Sequence, residues 1–195
     1  MSSNHVARIT VAALVLFGSA CSHLHKPHVS MPSMPSMPSM GRHHDEGPSD
    51  ANILAIMLAA NNTDVSYAKL VPGRSQNASI RNFAANMVTA HTAVNQQLSD
   101  LTNRINITPE ENKESLDFRD ESTTKRDLMR ELEGHTFDST YIANEIMYHT
   151  KLLQTLDKEL IPDADNAQIK QALMQIRPAV QAHLDHAMSV RANLR

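Results

Sequence analysis

The stretch SQNASIRNFAANMVTAHTAVNQQLSDLTNRI, residues 75–105, decides the fold. Its apolar positions are Ile80, Phe83, Ala84, Met87, Val94, Leu98, Leu101 and Ile105, with His91 in the same stripe. Steps of three and four are those of a helix with one buried face, since strand residues alternate every second position. The segment predicts a helix of roughly 30 residues, capped by Ser75 and ended before Pro109. A helix this long cannot bury its stripe alone, and the rest of the chain must supply partners.

Working outward, residues 50–71 form a second such helix, stopped at Pro72-Gly73, with Ile53, Met57, Asn61, Asp64, Ala68 and Val71 inward. Beyond Gly134 a third long helix is predicted, capped by Asp138 and stopped by Pro162. Its stripe is Tyr141, Ile142, Glu145, His149, Leu152, Leu156 and Leu160. The last runs from Asp165 to near the end, showing Ile169, Leu173, Ile176, Val180, His183, Ala187, Val190 and Leu194, with a kink expected at Pro178. Between the second and third, residues 110–133 are highly charged, with room for one or two short helices ended by Gly134. Two helical hairpins joined by such a connector predict an all-α domain over residues 50–195. Its expected form is a ferritin-like four-helix bundle with a short helical, charged crossover. A plain up-and-down bundle is the alternative.

The N-terminal part is different in kind. Arg8, the apolar run from Ile9 to Phe17, and Gly18-Ser19-Ala20 before Cys21 read as a lipoprotein-type signal peptide over residues 1–20. Acylation of Cys21 would anchor the chain to a membrane, and Ser22 in place of aspartate points to the outer membrane with the domain in the periplasm. The competing reading is an ordinary cleaved signal. With one cysteine in the chain there is no intramolecular disulfide.

Residues 21–49 read as a disordered Met/Pro/Ser/His-rich tether, with three Met-Pro-Ser repeats over 31–39. In polyproline II geometry Met31, Met34, Met37 and Met40 share one edge, flanked by His23, His25, His28, His43 and His44. Thioether and imidazole donors suit copper and other transition ions, so the segment is either a plain spacer or a metal buffer.

Residues 50–195 carry 15 basic against 19 acidic residues, and aromatics are scarce, so nucleic acid is not expected as a partner. No Gly-x-Ser-x-Gly, His-Glu-x-x-His or phosphate-loop pattern is present, and an enzyme is not expected.

The segment Asn82-Phe83-Ala84-Ala85-Asn86-Met87-Val88 with His91, then Phe137-Asp138 with Tyr141-Ile142 and His149, then Pro178 with His183-Leu184 and Ala187, resembles a bacterial family. It is the domain of unknown function 4142, often described as an outer membrane protein with a ferritin-like bundle. The resemblance covers about residues 50–195 and implies that fold and an envelope location, with no activity attached. Ala90-His91 stands where the family commonly has Asp-His.

Five polar residues fall on the apolar stripes: Asp64, His91, Glu145, His149 and His183. The ferritin-type Glu-x-x-His motif is missing, because Val88 and Val180 stand three residues before His91 and His183. That counts against oxygen or redox chemistry on a di-metal site. Counting about 1.5 Å per residue from the turns, parallel second and third helices would group Asp64, Glu145, His149 and His183 and leave His91 about 10 Å away. Antiparallel ones would bring in His91 and drop Asp64. Either set holds at most one transition-metal ion, and the alternative is a buried polar network fixing helix register. The expected function is a non-enzymatic envelope structural, stress or interaction module with protein or cell-wall partners. The alternative is a periplasmic metal-binding protein, for copper or another transition metal.

Overall fold

The computed structural model describes residues 47–194, and these are helical with no strand. In chain order the helices are α1 (Asp50–Ala68), α2 (Ala78–Ile105), α3 (Lys113–Arg130), α4 (Gly134–Thr155), the short α5 (Ile161–Asp163) and α6 (Ala167–Ala192). A 3-10 turn, Val71–Gly73, follows α1, and a π segment, Leu156–Leu160, extends α4. No described helix is long and apolar enough to cross a membrane.

Asparagine starts three of these helices. Asn77, Asn112 and Asn166 each sit in extended backbone and accept from amides of the first turn through the side-chain oxygen. The expected cap at Ser75 is thus corrected to Asn77. The Ser75 hydroxyl instead accepts from the Asn77 amide within the turn. Asp138 is not a cap either. Gly134, at a φ of 56°, begins α4 rather than ending the segment before it, which places Asp138 buried in the second turn. The Gly134 amide donates to the Arg74 carbonyl, tying the α3–α4 corner to the α1–α2 turn. The charged connector is one 18-residue helix, and α6 runs unbroken through the exposed Pro178.

Contacts across the core fix the helix directions. Phe83 meets Tyr141 and His91 meets His149, so α2 and α4 run parallel. Arg104 meets Gln168, His91 meets His183 and Phe83 meets His186, so α2 and α6 run antiparallel. Thr63 donates to the Phe118 carbonyl and Ser66 meets Ser122, which lays α3 parallel along α1. That contact explains why α1 buries Leu54, Ala55, Ile56, Ala59 and Ala60 besides its expected stripe: α2 covers one side and α3 another. At the opposite end, the Asp50 carboxylate accepts from the amides of Asp165 and Asn166, joining α1 to the start of α6.

Candidate metal centre

The inward stripes of four helices bring five polar side chains into one cluster of two overlapping triads, which share His149. Asp64 comes from α1, His91 from α2, Glu145 and His149 from α4, and His183 from α6. Asp64, Glu145 and His149 have no exposure, His91 is 2% exposed and His183 is half-buried. The expectation that Asp64 and His91 exclude each other is corrected. Asp64 Oδ2 lies 3.5 Å from His91 Nε2 and 3.4 Å from His149 Nε2. The physical reason is the hairpin. The 3-10 turn prolongs α1, and the Asn61–His91 pair is centred on Gln76 rather than on Pro72-Gly73. A centre displaced by about four residues shifts the facing register by twice that, about 10 Å at the helical rise.

Each of two imidazoles is fixed by its outer nitrogen. His91 Nδ1 bonds Asn61 Oδ1 at 2.7 Å, and His149 Nδ1 bonds the Glu145 backbone carbonyl at 2.9 Å. Both acceptors are oxygens without a proton, so Nδ1–H donates and the Nε2 lone pair is bare and turned inward. The third ring completes a triangle. Centroid separations are 5.7 Å for His91–His149, 5.2 Å for His91–His183 and 5.5 Å for His149–His183.

The 3.4–3.5 Å from Asp64 Oδ2 to the two Nε2 atoms is too long for hydrogen bonds, which close at about 2.5–3.2 Å. That spacing matches ligands around an ion. For metal–donor bonds of about 2.0–2.1 Å the edge of a coordination tetrahedron is about 3.4 Å, and imidazoles radiating from it have centroids about 5 Å apart. One ligand atom from each of His91, His149 and His183 lies within 4.8 Å of the others, as do those of Asp64, Glu145 and His149.

Charge and burial agree with this geometry. Both oxygens of Asp64 and of Glu145, Nε2 of His91 and of His149, and Nδ1 of His183 are buried without a hydrogen-bond partner in the protein. Burial pushes the Asp64 carboxyl up to about 7. Glu145 is pushed well above the carboxylate range by burial and then by the charge of Asp64. Burial pushes His149 down to about 4, and pushes His91 well down with help from His149 and His183. His183 is lowered by burial and then by His186. Acceptors that converge in a dry interior and repel one another's charge are complementary to a cation. A family model for a domain of unknown function (DUF4142) matches residues 35–190.

The chain belongs to the DUF4142 family. No curated protein and no solved structure matches it.

The five expected bundle residues of this DUF4142 chain therefore fall into two adjoining triads joined through His149. Cys21 and the tether residues His23, His25, His28, Met31, Met34, Met37, Met40, His43 and His44 lie outside the described residues. His186, three residues after His183, is exposed, but its ring packs edge-on against Phe83 with centroids 5.1 Å apart. Asn61 was visible on the α1 stripe, yet its part in the site depends on the hairpin register, which spacing alone misplaces. All three tyrosines of this DUF4142 chain are in the described core, and Tyr148 packs its ring 5.8 Å from that of His149. Its hydroxyl donates to the Ala60 carbonyl at 2.6 Å, whereas those of Tyr67 and Tyr141 are buried without a partner.

Proposed function

We propose that this domain is a metal-binding module that holds one divalent first-row transition ion through His91, His149, His183 and Asp64, with Glu145 beside them. The observation that carries the reading is the pair of fixed imidazoles whose bare Nε2 atoms stand 3.4–3.5 Å from one carboxylate oxygen. Three nitrogen donors and a carboxylate favour zinc, copper, nickel or iron over magnesium or calcium, which take oxygen cages. The near-tetrahedral edge favours zinc. Four protein donors would close the coordination shell, as in sites that hold an ion rather than activate a water, and this supports a binding protein over an enzyme.

The same reading extends to architecture and place. Parallel α2 and α4, linked by a crossover that traverses the molecule, support a four-helix bundle with ferritin-like connectivity, to which α3 adds an outer layer. The signal pattern ending at Cys21 supports a lipid-anchored protein of the outer membrane, displayed in the periplasm, with other envelope proteins or cell-wall material as partners. Replacing Cys21 by serine should then release the chain from the membrane fraction, and retention would refute the anchor.

The metal reading is tested on the purified protein by elemental analysis and by melting with zinc or with chelator. One ion per chain is expected, with a zinc-dependent rise in melting temperature that His149→Ala abolishes. Uptake unchanged in His149→Ala but lost when Met31, Met34, Met37 and Met40 become leucine would move the site to the tether. Equal loss of stability with and without zinc would make the histidines a structural network.

A further inference from the structure

The five candidate ligands differ in one respect that bears on how an ion would reach them. Asp64, Glu145, His149 and His91 are sealed, and only His183 has an exposed part. On the α1 side the cluster is roofed by α3, where Phe118 packs on Tyr148 with centroids 6.0 Å apart and Thr63 bonds the Phe118 carbonyl. The one half-buried ligand, His183, lies on the seam between α2 and α6, where the helices pack less closely than within the two hairpins.

Two histidines occupy that seam one helical turn apart. His183 turns its Nδ1 into the interior and lies 5.2 Å, ring to ring, from His91 of α2. His186 is three residues further along α6 and exposed, and Phe83 of α2 holds its ring edge-on at 5.1 Å. Residues three apart on a helix are neighbours, so an ion caught by one imidazole is within reach of the other. The run His186, His183, His91 goes from solvent to sealed interior along one seam.

We infer that His186 and His183 form an entry site for the transition ion, in which exposed His186 captures it and half-buried His183 passes it to the interior ligands. The inference rests on the metal reading above. His186 takes no part in the final coordination, so it governs the rate of loading and release without setting the number of ions held. The Phe83 contact restrains the imidazole on the seam.

The test is stopped-flow uptake of cobalt(II), followed by its visible absorption, into the full-length protein after chelation. His186→Ala should slow loading by about tenfold, the scale on which loss of an outer metal partner acts, while stoichiometry and final spectrum stay those of the wild type. His186→Phe keeps an aromatic ring on Phe83 but has no nitrogen, so it should be equally slow, which separates ion capture from packing. Exposed His135, at the start of α4, serves as the control, and His135→Ala should load at the wild-type rate. Wild-type loading by His186→Phe, or equal slowing by His135→Ala, overturns the entry site while leaving the interior site standing. Failure of the wild-type protein to take up cobalt or zinc overturns the metal reading itself, and the entry site with it.

Discussion

Replacing Asp64 by asparagine should make the metal-free protein more stable at alkaline pH while removing its response to metal. Asp64 is fully buried and held at about 7 instead of the ordinary 3.8. At about 1.36 kcal/mol for each tenfold change in proton affinity, the ionised carboxylate costs the folded state about 4 kcal/mol. Because the folded value is the higher one, the stabilising contribution is complete below about pH 4 and is lost as pH rises through 7. Asparagine cannot ionise, and its incompletely bonded amide costs about 1–3 kcal/mol. At pH 8 the variant should therefore gain about 1–3 kcal/mol, or about 5 °C in melting temperature for a domain of this size. At pH 5 the gain should vanish or reverse. Zinc should raise the wild-type melting temperature and leave the variant unmoved, since a neutral amide oxygen is a poor ligand beside imidazoles. Calorimetric melts at both pH values, with chelator and with zinc, give the answer. A variant that melts below the wild type by the same amount at pH 5 and pH 8, and still responds to zinc, would refute the reasoning.

Asn61→Leu takes the acceptor from His91 Nδ1–H and frees the ring to change tautomer, so zinc affinity measured by competition should drop about 10–100-fold with stoichiometry preserved. Zinc uptake should release protons at pH 6.5, where Asp64 and Glu145 are largely protonated, and should weaken as pH falls; titration calorimetry in buffers of different ionisation heat measures both. Gly134→Ala meets no atom within 4 Å of the new methyl group, so its cost is backbone strain alone at a φ of 56°. A loss of about 1–2 kcal/mol is expected by denaturant unfolding, with metal binding unchanged.

Periodicity carried most of the helical layout, because in a stripe such as that of α2 the buried face repeats at the period of the backbone itself. Every apolar or polar position assigned inward on α1 and α4 is buried. What periodicity could not carry were the ends and the registers. A glycine followed by a buried aspartate looks like a stop and a cap, yet Gly134 is a left-handed start and Asp138 lies inside. Pro72-Gly73 looks like a hairpin centre, yet its 3-10 turn continues α1 and moves the true centre to Gln76. The five site residues were legible as polar breaks in apolar stripes. Their convergence was not, since it depends on a few residues of turn geometry doubled across a hairpin. Asn61 and the fixed tautomers emerge only with that register.

The chain enters α3 at one end of the molecule and leaves it at the other, with Glu110 bonded to the Ala51 carbonyl at the first and Gly134 to the Arg74 carbonyl at the second. A hinged flap has one free edge and swings; α3 has none. Local opening of that side would require breaking a tied end first, which belongs to the slow, subglobal class of motions rather than to breathing. Exchange between the interior and solvent on that side is accordingly as slow as that opening.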